Sequence, residues 1–157
     1  MKKIVIAACF IAGSMIAVSA CKKKDKDDKG TTPVTSVLSA TVDGNAFAAT
    51  DVSALLSETG SYQVLNISGY ASDDHGIFIG ITNYNGAPGS YPVSGSGGDA
   101  SAAYMKGGDD MPDPAVYGAV EITSVSGGAV KGTFYFTTMD SVRVTGGSFT
   151  VAEPAQF

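Results

Sequence analysis

The sequence predicts an all-β body: a single antiparallel β-sandwich of about eight to nine strands, with a small closed, lipocalin-like barrel as the alternative. Three observations carry that expectation. Short runs of Val, Ile, Thr, Tyr and Phe alternate with polar residues at a period of two, 20 glycines are spread through the chain, and turn signals fall between the runs. No stretch keeps apolar residues at i, i+3, i+4 and i+7 for three turns, so no long helix is expected.

Each run is justified by its own pattern. Val37 to Asp43 places Leu38, Ala40 and Val42 on one face, and Asp43-Gly44-Asn45 turns the chain into Ala46-Phe47-Ala48-Ala49-Thr50. Val52 to Glu58 reads equally as a helical turn or a strand. Tyr62 to Tyr70 sets Leu65 and Ile67 against Val64, Tyr62 and Tyr70, and Gly76 to Tyr84 gathers Ile77, Ile79 and Ile81 opposite Phe78. Gly107 to Ala115, with Pro112 and Pro114, reads as a loop. Val116 to Val125 points Val116, Val120 and Ile122 inward and Tyr117, Glu121 and Thr123 outward. Ala129 to Thr138 alternates Val130, Phe134 and Phe136 with Lys131, Thr133, Tyr135 and Thr137. Val142, Val144, Phe149 and Val151 form the last strand, and its phase slips at Gly146-Gly147, the mark of a bulge or bend. Further turns are expected at Asp73-Asp74-His75-Gly76, Asn85 to Gly89, Gly95 to Gly98 and Ser126-Gly127-Gly128.

Ahead of this body stands a different kind of sequence. Lys2 and Lys3 precede 17 uncharged residues from Ile4 to Ala20, then Val18-Ser19-Ala20 leads into Cys21. A charged run, Lys22 to Lys29, follows at once. That order is the layout of a bacterial lipoprotein signal, in which residues 1–20 are removed and Cys21 takes the lipid. A retained membrane helix is disfavoured, since 17 residues fall short of the roughly 20 that span a bilayer. Residues 21–36 are then an acylated cysteine and a flexible tether, and residues 37–157 the β-domain. The second cysteine, Cys9, leaves with the signal, so the mature body has no thiol chemistry.

Charge narrows the partners. From residue 31 onward the chain has Lys106, Lys131 and Arg143 against 12 acids, a balance of −9. Three basic residues cannot neutralise a phosphate backbone, which excludes nucleic acid as a partner. The expected contact with a membrane is through the N-terminal lipid.

Four stretches of the body resemble small lipoproteins of the Bacteroidota. Ala40-Thr41-Val42-Asp43-Gly44-Asn45-Ala46-Phe47 is similar to their opening hairpin, and Gly89-Ser90-Tyr91-Pro92 to their middle Gly-x-Tyr element. Gly132-Thr133-Phe134-Tyr135-Phe136 and Gly147-Ser148-Phe149-Thr150-Val151 are similar to their closing strands. The resemblance spans nearly all of residues 37–152 and implies a secreted β-rich domain of unknown function, with no catalytic residues to carry over. The run after Cys21 also resembles the export signal that sends such lipoproteins to the outer surface, although here acids and lysines are interleaved. The expected location is the outer membrane or the cell surface.

Few residues offer chemistry. His75 is the only histidine, so His-pair metal sites are excluded within one chain, and Asp73-Asp74-His75-Gly76 beside Ser72 reads as a polar turn rather than a catalytic triad. Asp109, Asp110 and Asp113, with Asp99, form the densest acidic stretch and are candidate ligands for calcium, although they lack the alternation of a dedicated calcium loop. Glu58, Glu121 and Glu153 are the carboxylates a hydrolase would have available. Tyr117 and Tyr135 fall on the outward phase of adjacent strands, where they are candidates for an aromatic platform binding a glycan or a protein. The functional expectation is a non-catalytic binding, adhesive or structural module. The alternatives are a small carboxylate-dependent hydrolase and a barrel holding a small apolar ligand.

Overall fold

The computed structural model describes residues 33–95 and 97–154, in ten strands and no helix. The signal, Cys21 and most of the tether expected from the sequence lie outside the described residues. The strands are β1 (Val37–Val42), β2 (Asn45–Ala48), β3 (Asp51–Thr59), β4 (Tyr62–Tyr70), β5 (Gly76–Thr82), β6 (Gly89–Ser94), β7 (Ala100–Met105), β8 (Asp113–Ser126), β9 (Ala129–Thr138) and β10 (Arg143–Ala152).

All ten belong to one sheet in the order β2-β1-β10-β9-β8-β6-β7-β5-β4-β3. The all-β expectation holds, but two stacked sheets are replaced by a single curled one. Its two edge strands, β2 and β3, are joined by only Ala49 and Thr50. Three Cα steps of about 3.8 Å bring those edges within about 11 Å at this corner. The corner is pinned to both sides: the Ala49 N–H donates to the Leu38 carbonyl at 2.9 Å and the Thr50 N–H to the Tyr70 carbonyl at 2.7 Å. Gly69 on β4 allows the approach, because a Cβ there would stand 3.2 Å from the Leu38 methyls.

β6 and β7 explain why ten strands appear where eight or nine are expected. Both run antiparallel to β8, β7 pairing near its start (Ala103 with Pro114) and β6 further along (Tyr91 with Val120). They touch each other in parallel only at Val93 and Ala100. One strand line is thus interrupted by the residues between Ser94 and Ala100, and its second half swings across to pair with β5. Pro92 fits this geometry, since a proline in a strand needs an edge that asks for no N–H.

The interior face follows the predicted alternation. Leu38, Leu65, Ile67, Ile77, Ile79, Ile81, Val120, Ile122, Val130, Phe136, Val144 and Val151 are almost wholly buried, with Phe134 and Phe149 beside them. Burying each such side chain contributes about 1.5–3 kcal/mol, which is the drive that sets the register. The hairpin turn predicted at Asp43-Gly44 is a two-residue loop with φ of 47° and 84°, the pair of positive values that a type I′ turn needs. The predicted slip at Gly146-Gly147 is real: the four residues from Val144 to Gly147 face three on β9, Phe134 to Phe136, with Gly146 at φ 56°.

Two expectations change and one open reading closes. Val116 points outward and is 44% exposed, because it is the extra residue of a bulge between Ala115 and Tyr117. Ala115 takes the buried position in its place. The loop before it is shorter than expected, since Asp113 to Ala115 already belong to β8. Val52 to Glu58 is strand, held by pairing along the whole of β4.

Candidate functional site

Two places concentrate side chains that could do something: the outer face of β8–β10 and a cleft at one end of the sheet. The outer face is built by the alternation already described. Every second residue of β9 is buried, so Lys131, Thr133 and Tyr135 must face out. On β8 the bulge at Val116 restores the phase so that Tyr117 and Glu121 face out as well. Tyr117 lies opposite Thr137 and Tyr135 opposite Ala119, which makes the two rings diagonal neighbours. Their centroids are 6.1 Å apart at 61°, an edge-to-face contact, and they stay 62% and 45% exposed. The contact with Tyr117, chiefly through its hydroxyl hydrogen bond, raises the pKa of Tyr135 above the ordinary phenol value. Such rings hold a large amphipathic surface in place with little left to order on binding.

Beside Tyr135 the face dips into an open groove of about 540 Å³, lined by Ser90, Glu121, Thr133, Ser148, Ala119 and the glycines of the β10 bulge. The bulge makes the depression. Exposed Gly146 carries no side chain on this face, while Gly147 faces inward, where a Cβ would stand 2.5 Å from the Phe134 ring.

The end cleft, of about 620 Å³, lies between the β1–β2 hairpin and the β4–β5 turn. Val42, Phe47 and Val142 give it an apolar lining, while Asp43, Asp73 and Lys106 add charge. His75 sits there with its side chain 29% exposed. Its Nδ1 is hydrogen-bonded to the Tyr104 hydroxyl and its Nε2 lies 3.7 Å from Asp73. Burial pushes the Tyr104 phenol up, and the carboxylates of Asp73, Asp43 and Asp109 push it further, so the hydroxyl that meets the ring keeps its proton. Nδ1 is therefore engaged, while the Asp73 carboxylate stands beyond hydrogen-bond reach of Nε2. Gly107 closes the back of the ring, leaving room for a Cβ only 3.0 Å from Cδ2. The arrangement clasps the β4–β5 turn to the end of β7. Its tyrosine was missed in the sequence because β7, Ala-Ser-Ala-Ala-Tyr-Met, has too few β-branched residues to announce a strand.

The remaining candidates are dispersed. Asp109 and Asp110 lie on the loop before β8, and the Asp113 carboxylate accepts the Asp140 N–H at 3.2 Å. Asp99 stands at the other end of β7. Among the described residues no three His, Cys, Asp or Glu side chains gather as a metal site. Glu58 is on edge strand β3, Glu121 in the middle of β8 and Glu153 beyond β10.

No curated protein and no solved structure matches the chain significantly. A family model does match, over residues 34–152, under the description "Domain of unknown function (DUF6252)". The stretch covers all ten strands and both the outer face and the cleft, and on that match the chain belongs to the DUF6252 family.

Proposed function

We propose that this protein is a lipid-anchored lipoprotein of the outer membrane or cell surface, and that its β-domain is a non-catalytic binding module. The observation that carries the binding reading is the exposed, edge-to-face pair Tyr117 and Tyr135 on a sheet face whose interior is already filled. Large aromatics left in water at that density are costly unless something covers them, and they rank among the side chains that dominate interfaces. The anchor reading rests on Lys2, Lys3, the apolar stretch and Cys21. Catalysis finds little support at His75, whose Nδ1 is held by the Tyr104 hydroxyl, and the candidate carboxylates Glu58, Glu121 and Glu153 stand apart on the fold.

One experiment tests both halves. Cys21→Ser should release a folded protein from the membrane fraction, since stable anchoring needs the acyl chains. That released protein should bind isolated cell-envelope material, and Tyr117→Ala with Tyr135→Ala should lower the binding about tenfold or more. A Cys21→Ser protein that stays in the membrane overturns the anchor. Envelope binding that ignores both tyrosines overturns the module.

A further inference from the structure

The outer face carries a pattern that the tyrosines alone do not explain. Ser90 on β6 is the direct partner of Glu121 on β8, Glu121 of Thr133 on β9, Thr133 of Ser148 on β10, and Ser148 of Ser39 on β1. Five strands thus contribute one short polar side chain each to a straight row across the sheet. Four strand spacings of about 4.8 Å make that row about 19 Å long. Ser39 and Ser148 join hydroxyls at 3.2 Å, so the row is continuous at that end. Tyr135 stands one step along β9 from Thr133 and walls the row, while Gly146 leaves the corresponding position on β10 bare.

We infer that this row is the floor of a binding groove for a linear, neutral oligosaccharide, laid across the strands with Tyr135 along one flank and Tyr117 behind it. The inference rests on the binding-module reading and names its ligand. Four hydroxyls that both donate and accept, and one carboxylate that only accepts, match a ligand that offers hydroxyls of both kinds along its length. An extended peptide would instead need a free strand edge to satisfy its backbone, and each of β8, β9 and β10 is paired on both sides. Glu121, second in the row, rejects a carboxylate or sulfate there, and the −9 body repels a polyanion at a distance. Lys131 and Arg143 face out on this side too, but two residues beyond Thr133 in one direction and opposite Thr137 in the other, outside the groove.

The test uses the purified protein, envelope material and periodate, which destroys the vicinal diols of glycans. Treating the envelope with periodate should abolish its tyrosine-dependent binding, and a mixture of neutral hexasaccharides should compete where hexagalacturonate does not. Tyr135→Ala should weaken that competition about tenfold, and neutral disaccharides should compete at least about tenfold less well than hexasaccharides, because they reach only part of the row. Tyrosine-dependent binding that survives periodate overturns the glycan inference and leaves the binding module standing. Competition by hexagalacturonate at lower concentration than the neutral mixture overturns the neutral class. Envelope binding unaffected by Tyr117→Ala and Tyr135→Ala overturns the module itself.

Discussion

Tyr104 and the pair Tyr117–Tyr135 use the same side chain in opposite ways. Tyr104 is 7% exposed and spends its hydroxyl on His75, whereas the outer pair, edge to face with each other, keeps both rings exposed. In the cleft, burial raises the phenol pKa and ties the ring to a turn; on the outer face the rings float over a finished core. The difference teaches that a tyrosine's contribution depends on what surrounds its two ends. Where the ring is buried and the hydroxyl bonded to the fold it holds the fold together, and where the ring stays in water it is available to a partner.

The sharpest break between the two regions is expected in stability. Tyr104→Ala should cost about 3 kcal/mol, the size of a large buried aromatic deletion, measured by urea unfolding of the whole domain. A cost below about 1 kcal/mol would mean the cleft does not hold the fold. Next in size, His75→Ala should cost about 1–2 kcal/mol, because it leaves the Tyr104 hydroxyl without its partner. The same variant should leave envelope binding unchanged; a loss of binding without a loss of stability would move the functional site to the cleft.

A smaller effect is expected at alkaline pH. Burial raises the pKa of Tyr84, Tyr91 and Tyr104 above the ordinary phenol value of 10.0, with nearby carboxylates adding to each. In that window the folded state keeps protons that the unfolded chain has released. Stability should therefore be full below pH 10.0 and fall as pH rises through the raised folded-state values. Tyr104→Phe should flatten that fall, and an unchanged slope would remove Tyr104 from the account. Smallest of all, Tyr117→Ala and Tyr135→Ala should each change stability by less than about 1 kcal/mol, the range of an exposed cross-strand pair, while reducing binding.

Much of this molecule was legible along the chain. The outward phase of Tyr117 and Tyr135 followed from strict alternation in two runs joined by Ser126-Gly127-Gly128, and the β10 bulge from one glycine pair at a phase slip. Less legible was the Val116 bulge, because one extra residue inside an apolar run leaves no mark of its own. Nor could the His75–Tyr104 clasp be read. The residues lie 29 positions apart, and Tyr104 sits on an alanine-rich strand whose pairing with β5 is chosen by the isoleucines opposite it.

By itself, then, the sequence determined the strand phases, the hairpin turns and the acidic, thiol-free character of the body, because period-two burial and positive-φ turns are local constraints. Tertiary structure decided between two sheets and one. The choice turns on Ala49 and Thr50, which are too short a link to do anything but bring the two sheet edges to one corner. It also decided that Ser39, Ser90, Glu121, Thr133 and Ser148, spread from residue 39 to residue 148, stand in one row. Strand order and register are long-range quantities, set by which faces bury together, and no local stretch of the chain contains them.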